Sequence, residues 1–354
     1  MSFQTEQDSD SHIILLFQPT TPSSTLQSIQ QTITKHNGTI VNGHIKTETQ
    51  TGFECTLPSH LVSSLLSFHD HPHLRSIETI NKVPLLNGTS ISFISSDSLQ
   101  GPVVTTDSSI GHFDRTGMFL WPGSRFMTLF LQRNPEIVLG KRVVELGAGG
   151  SGILAALGTR LGCKKWVATD WGDAQVLERL KMNVEMNRLG SCVGVVEYKW
   201  GSEGTDVVVA AATGLDGGIL DLMVAADVIY PSMTREQITD LVTSFLVFSR
   251  DQRMNVREFY CAYVNRDGSG KTLKRLLLEV VAVLDGLCVS VIPFEEDRSG
   301  CMLRFYLDDR IASEEKTAMI TDVGNLVMPG VWSKTEEVVE EWIAPYGSSD
   351  EDEE

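Results

Sequence analysis

Val143-Val144-Glu145-Leu146-Gly147-Ala148-Gly149-Gly150-Ser151-Gly152 is the stretch on which the fold turns. A short apolar strand ends on Gly147, Gly149 and Gly152, and the residues from Ser151 to Leu161 continue with helical spacing. Glycines between a strand and a helix let backbone approach a ligand closely. Taken alone, the pattern suits a dinucleotide as well as any other ligand, or a plain tight turn with exposed acids. Two carboxylates separate these options. Glu145 stands on the strand just before the loop, where it could meet a ligand's amino group. Asp170 ends the next strand, where a carboxylate can accept from both hydroxyls of a ribose.

Outward from this loop the chain alternates strands and helices. Arg142–Leu146, Trp166–Asp170, Val193–Tyr198, Leu220–Ala225, Glu258–Val264, Leu287–Pro293 and Met302–Leu307 read as strands. Ser151–Leu161, Asp173–Leu189, Thr234–Phe248 and Lys271–Leu284 read as helices. Such alternation predicts an α/β fold, a Rossmann-like, doubly wound sheet of seven strands. The last two strands, with no helix between them, suit an antiparallel hairpin at the edge. A second signal is Asp221-Leu222-Met223-Val224-Ala225-Ala226-Asp227-Val228-Ile229-Tyr230. It sets Asp227 and Tyr230 at the carboxyl edge of the sheet, where open α/β sheets bind ligands; a loop-capping Asp and a packed Tyr are the plainer alternative. Trp121 and Trp200 could stack on a base or line a pocket, although a lone Trp is more often core. S-adenosyl-L-methionine has an amino group and a ribose but no pyrophosphate, so it suits both Glu145 and Asp170.

The 354 residues suggest two domains. All eight histidines lie at or before His112 and all six tryptophans at or after Trp121, which sets a boundary near residues 85–115. The expected organisation is a small α+β domain over 1–85, a Ser/Thr/Gly-rich linker over 86–114, the sheet domain over 115–310, and an extension over 311–354 with a solvated acidic tail. In the first domain, strands at His12–Phe17, Thr39–Ile45, Gly52–Leu57 and Leu74–Ile80 and helices through Leu26–Ile33 and from Pro58 onward predict a β-α-β-β-α-β, ferredoxin-like order. The linker holds one short strand at Ser90–Ile94. A helix over Thr335–Trp342 is expected in the extension.

The formal charge is −17, from 29 basic and 46 acidic residues. Such a field repels polyanions, so nucleic-acid binding is not expected. The six cysteines form no C-x-x-C pair and read as buried thiols of a reducing compartment. The polar, acidic start and the lack of any apolar run near the ~20 residues that span a bilayer exclude targeting and membrane segments, which points to the cytoplasm or the nucleus. His69, His71 and His73 crowd one helix-to-strand loop with His60 nearby, but zinc sites prefer ligands on a rigid frame, so no metal is expected.

From about Gly117 to Asp309 the chain resembles the family-16 seven-β-strand methyltransferases, which include many protein lysine methyltransferases. The matching pieces are Leu120-Trp121-Pro122, Glu145-Leu146-Gly147-Ala148-Gly149, Thr169-Asp170, Trp200 and Ala226-Asp227-Val228-Ile229-Tyr230. The resemblance implies cofactor contacts at Trp121, Gly147, Gly149, Asp170, Trp200 and Ala226, with Glu145 and Ala148 in the same loop motif. It makes Asp227-x-x-Tyr230 the signature near the acceptor, and Arg266 sits where such proteins often carry an Arg. The loop departs from the family's Gly-Ala-Gly-Thr-Gly by an extra glycine, and Gly201–Gly218 is an insertion of uncertain structure. Residues His12–Pro84 resemble the inhibitor and propeptide domains of subtilisin-like proteases through His12–Phe17, Thr51–Leu57 and His73–Glu78. In those domains a free tail fills the protease cleft; here Val83-Pro84-Leu85 runs on, which favours an interaction or stabilising module.

The implied chemistry is methyl transfer from S-adenosyl-L-methionine to a lysine of a protein, on a basic segment that suits the acidic chain. A small-molecule N-methyltransferase and a non-catalytic interaction protein are the alternatives. A lysine, with an unperturbed pKa near ~10.4, must lose its proton before attack. No histidine follows His112, so Asp227 and Tyr230 are the groups expected to orient the amine.

Overall fold

The computed structural model describes residues 10–35, 37–46, 51–58, 74–95, 117, 120–172, 174–213, 218–266, 271–293 and 300–327. The strands are β1 Asp10–Phe17, β2 Thr39–Lys46, β3 Thr51–Pro58, β4 Leu74–Pro84, β5 Ser90–Ser95, β6 Arg142–Leu146, β7 Lys165–Asp170, β8 Val193–Glu197, β9 Leu222–Ala226, β10 Glu258–Val264, β11 Leu287–Pro293 and β12 Gly300–Leu307. The helices are α1 Ser23–Lys35, α2 Pro122–Arg133, α3 Ile153–Arg160, α4 Ala174–Met186, α5 Thr205–Thr213, α6 Arg235–Arg250, α7 Lys271–Lys274 and α8 Ser313–Val327. They form two compact units. One takes Met1–Leu120, Gly149–Gly152 and Asp173–Gly190; the other takes Trp121–Ala148, Ile153–Gly172 and Ser191–Glu354.

In the first unit the sheet order is β2-β3-β1-β4-β5, with every neighbouring pair antiparallel. Period-two alternation sends Leu15, Phe17, Phe53, Cys55 and Leu57 to one buried cluster with Ile33 of α1. Phe17 and Phe53 stack at 5.9 Å. The helix α1 stops where expected: Asn37 takes φ 64° and Gly38 N–H returns to the Ile33 carbonyl at 3.0 Å. The second helix of the expected order lies outside the described residues. The domain does not end at 85, however. Leu85 N–H bonds the Thr89 carbonyl at 2.7 Å, and the turn returns β5 antiparallel along β4 to Ser95. The short strand expected in the linker is therefore a member of this sheet.

The same unit holds the later part of the glycine loop. Gly150 N–H donates to the Gly117 carbonyl at 2.6 Å, and the Asn183 side-chain amide of α4 donates to the Gly150 carbonyl at 2.6 Å. A Cβ on Gly149 would come within 2.9 Å of the Gly117 carbonyl oxygen.

The second unit is a seven-stranded sheet in the order β11-β12-β10-β9-β6-β7-β8. Strands β6 to β10 are parallel, and β12 runs antiparallel between β10 and β11. The closing hairpin is thus at the edge, as its sequence suggested. One face carries Val144, Leu146, Met223, Ala225, Phe259, Cys261 and Phe305 into a core with side chains of α5, α6 and α8. The opposite face meets α2, where Phe130 lies 5.8 Å from Tyr260, and α3, where Gly158 leaves room for the Trp166 ring. Burial on both faces explains why the parallel strands read as near-continuous apolar runs.

Three elements differ from expectation. The insertion Gly201–Gly218 contains α5, whose Val208, Val209 and Ala212 are buried. The helix expected over Lys271–Leu284 is α-helical only to Lys274 and continues as π-helical turns over Arg275–Val281. Past residue 310 the chain is not a bare extension: α8 buries Ile320 and Val323 in the sheet's core. Its Met319 sulfur accepts the Val289 N–H of edge strand β11 at 3.3 Å. The domain therefore runs at least to Val327. The helix expected over Thr335–Trp342 and the acidic tail lie outside the described residues.

Candidate functional site

The chain leaves β6 toward β7 and β8, then crosses back to β9 on the other side of β6. That reversal makes β6/β9 the switch point of the sheet, where the two following loops part and leave a crevice. Gly147 comes off β6 there with φ +64°. A Cβ on it would lie 2.7 Å from Val228 Cγ1 and 3.5 Å from Trp200 Cζ2. Ala148 N–H is tied to the Thr169 carbonyl of β7 at 2.8 Å, which fixes the start of the loop. Gly149, next along the loop, takes φ 62° and packs against the Gly117 carbonyl.

Trp200 is held by its turn. The Tyr198 hydroxyl donates to the Gly201 carbonyl at 2.8 Å and shares Ser244 Oγ, at 3.1 Å, with Gly201 N–H, at 2.8 Å. Ser244 is fully buried on α6. Tyr198 N–H also reaches the Asp170 carbonyl at 2.9 Å, so the turn and the end of β7 are fastened together. Asp170 is half-buried, and its Oδ1 accepts from Trp171 N–H at 2.8 Å. Trp171 itself is 57% exposed, with Lys199 Nζ 5.0 Å over its ring. Sequence reasoning passed over Trp171 and Ser244. An indole placed directly after a strand-ending Asp was a readable signal for the first; nothing local marked the second.

Glu145 departs from expectation. It is 2% exposed, and its Oε2 accepts the Trp166 indole N–H at 2.8 Å. Both residues lie on the face that α3 covers, so the carboxyl points into the interior rather than toward a ligand's amine. Burial raises its pKa to about 8. At neutral pH it is therefore mostly the neutral acid, bound to an indole. In the unfolded chain it titrates near 4.5. Stability from this group is thus full below pH 4.5 and is lost as pH rises through 8, because the folded state binds the extra proton. Glu145→Gln, which keeps an acceptor for Trp166 and cannot ionise, should melt progressively above the wild type as pH rises. The gap should widen by about 8–15 °C between pH 5 and pH 8.5. Melting curves with a constant gap would reject this.

Asp227 follows β9 with φ 62°, a left-handed conformation uncommon outside glycine. Its N–H bonds the Ala262 carbonyl of β10 at 2.9 Å. Its Oδ2 accepts Gly123 N–H at 2.8 Å, from the first turn of α2, and pairs with the Arg266 guanidinium. Oδ1 is buried and has no hydrogen-bond partner among the described residues. Burial pushes the carboxyl up from its ordinary value, against the opposing pull of Arg266 and Gly123 N–H. The Arg266 guanidinium lies 4.3 Å from the Trp121 ring centre. Hence Trp121, Gly123, Asp227 and Arg266 form one cluster. Gly123 was missed, although glycine is needed there: a Cβ would come within 2.9 Å of Asp227 Cβ and N. Ala226 is half-buried beside Asp227, and Val228 and Ile229 are core. Tyr230 is half-buried; burial raises its hydroxyl's pKa, and the hydroxyl has no protein partner among the described residues. Asp227 is therefore engaged by its neighbours, while the Tyr230 hydroxyl has no hydrogen-bond partner among the described residues.

Among the described residues no His/Cys/Asp/Glu group could hold a metal, and no helix is long and apolar enough to cross a membrane. The histidines at 60, 69, 71 and 73 lie outside the described residues.

Residues 106–276 match a family described as Lysine methyltransferase. The lysine methyltransferase match covers just under half of the chain and includes Trp121, the glycine loop, Asp170, Trp200 and Asp227-x-x-Tyr230. The chain is 28% identical over 122 residues to the protein N-terminal and lysine N-methyltransferase efm7 of Schizosaccharomyces pombe, covering 34% of this chain and 47% of that one. It is 30% identical over 189 residues to the protein-lysine N-methyltransferase EFM3 of Chaetomium thermophilum, covering 49% and 55%. The chain thus spans about half the length of the curated relatives it matches. Among solved structures, it resembles a delta-N METTL16 MTase domain at 17% identity and TM-score 0.38, over 53% of this chain and 84% of that one.

Proposed function

We propose that the chain is an S-adenosyl-L-methionine-dependent methyltransferase that methylates a lysine nitrogen of a protein. The observation that carries this reading is the convergence of Gly147, Asp170 and Asp227 on the carboxyl ends of three adjacent parallel strands, β6, β7 and β9. They lie within the segment that matches the lysine methyltransferase family. The residues of this crevice fit the cofactor: Gly147 has no Cβ to fill the space beside Trp200, and Asp170 offers a carboxylate fixed by Trp171 N–H. When bound, the cofactor supplies a methyl group on a sulfonium.

The protein's own part is alignment. Asp170 holds the ribose hydroxyls, Gly147 and Ala148 present backbone, and Trp200 and the exposed Trp171 offer flat apolar faces. Correct placement of two reactants supplies ~7–11 kcal/mol in favourable cases. Asp227 carries a left-handed backbone and a buried oxygen with no donor among the described residues, which together cost a few kcal/mol. A fold that keeps both is using the position, and the use we assign is to fix the rim beside the acceptor. Tyr230, whose hydroxyl has no hydrogen-bond partner among the described residues, orients the acceptor amine; desolvation at this edge favours the neutral amine that attack requires. Glu145 takes no part in ligand binding.

A basic protein segment is the acceptor the charge favours: the chain stays acidic even without Asp350–Glu354. The N-terminal sheet serves as an interaction module rather than a protease inhibitor, since the chain past Pro84 turns into β5 instead of ending in a free tail. Incubation of the purified protein with radiolabelled cofactor and a hypomethylated lysate tests the main reading. Label should appear in protein, on lysine after hydrolysis. Label only in soluble metabolites, or on no molecule, would reject it.

A further inference from the structure

We infer that Arg266 is a positioning residue for the cofactor pocket, which fixes the Trp121 ring directly and the first turn of α2 through the Asp227 carboxylate. The inference rests on the reading of this crevice as an S-adenosylmethionine site. Four observations lead to it. The guanidinium both pairs with Asp227 Oδ2 and lies over the Trp121 ring, 4.3 Å from its centre. The same Oδ2 accepts Gly123 N–H at 2.8 Å, so one oxygen links the end of β9, the start of α2 and the second residue after β10. Asp227 cannot adjust to its partners, because its φ of 62° and its bond to the Ala262 carbonyl set its backbone. Gly123 cannot move closer either, since only the absence of a Cβ allows its present approach.

Ordinary structural ion pairing does not require this arrangement. A lysine could neutralise Asp227, but a guanidinium, with several N–H donors on one delocalised cation, pairs with Oδ2 through one nitrogen while its carbon lies over the indole. The Arg266 side chain is also 24% exposed, while that of Asp227 is 1% exposed. The pair thus has one end in the interior and one at the ligand edge of the sheet. Arg266 touches no reacting atom in this account; it acts through Trp121 and Asp227.

The test is calorimetric titration of the full chain with S-adenosylmethionine, with melting temperature measured on each variant. Arg266→Lys should weaken binding roughly tenfold, because it keeps the charge but not the plane. Arg266→Met, which removes the charge as well, should lose more, on the order of a hundredfold. Asp227→Asn combined with Arg266→Met should be within about threefold of Arg266→Met alone, since the two residues act as one unit. Wild-type affinity in Arg266→Lys and Arg266→Met overturns the inference. So does a fall in melting temperature with unchanged affinity, which would make the pair merely structural, or losses that add in the double variant. A wild-type chain that binds no S-adenosylmethionine instead removes the site reading, and the inference with it.

Discussion

Asp170→Ala should weaken S-adenosylmethionine binding by roughly a hundredfold while leaving the melting temperature within about 2 °C of the wild type. Asp170 ends β7 next to the switch point, half-buried, with Oδ1 anchored by Trp171 N–H at 2.8 Å. A carboxylate oriented in this way can accept from two vicinal hydroxyls. Hydrogen bonds to a charged group are worth about 1.5–3 kcal/mol each, so losing the pair exceeds the ~2.7 kcal/mol of a hundredfold change. Stability should hardly move, because the backbone carbonyl of residue 170 still accepts Tyr198 N–H. Asp170→Asn, which keeps one carbonyl acceptor, should lose about tenfold. Calorimetric titration measures both. An Asp170→Ala affinity within threefold of the wild type would remove the residue from the site.

The parts of this site that could be read in advance are local ones. A strand, its glycines and the following helix are contiguous, and the end of a parallel strand is marked by where its apolar run stops, as at Asp170 and Asp227. What escaped depends on partners remote in the chain. Glu145 on β6 looks the same in sequence whether it faces a ligand or an indole; only the β6–β7 register, Val143 beside Trp166, brings the Trp166 N–H within its reach. Asp227 and Gly123 are 104 positions apart. No periodicity could have joined them, and the ion pair to Arg266 depends on the parallel alignment of β9 and β10.

The same distinction explains the elements. Helix α1 was legible through Leu26, Ile29 and Ile33 and its Asn37-Gly38 stop. Helix α8 was not, because its first turn is acidic and only a narrow stripe through Ile320 and Val323 is buried. Its stability comes from docking on β11 rather than from an apolar pattern of its own. In α5 the opposite holds: Val207-Val208-Val209-Ala210-Ala211-Ala212 is apolar all round, so periodicity gave no helical signal. Strand β5 was visible as a strand, but pairing with β4 is a property of the Leu85–Thr89 turn and was hidden among Ser and Thr that looked like linker.

Gly147→Ala should damage both stability and binding, and the two effects can be separated. At φ +64° an alanine carries about 1–2 kcal/mol of backbone strain. Its Cβ would also lie 2.7 Å from Val228 Cγ1, too close without movement, and Val228 is buried at the switch point. Overpacking of this kind adds roughly 1–3 kcal/mol. Together these should lower the melting temperature by about 5–15 °C. Shortening the neighbour in Gly147→Ala/Val228→Ala removes the collision but not the φ strain, so it should recover only part of the lost stability. Cofactor affinity should not recover in parallel. The new methyl also stands 3.5 Å from Trp200 Cζ2, in the space between loop and indole that we assign to the ligand. The double variant should therefore stay at least tenfold weaker than Val228→Ala alone in calorimetric titration, a difference of about 1.4 kcal/mol. Full recovery of binding along with stability would mean that Gly147 serves only the packing of β6 against Val228, and the crevice beside Trp200 would lose its claim to the cofactor.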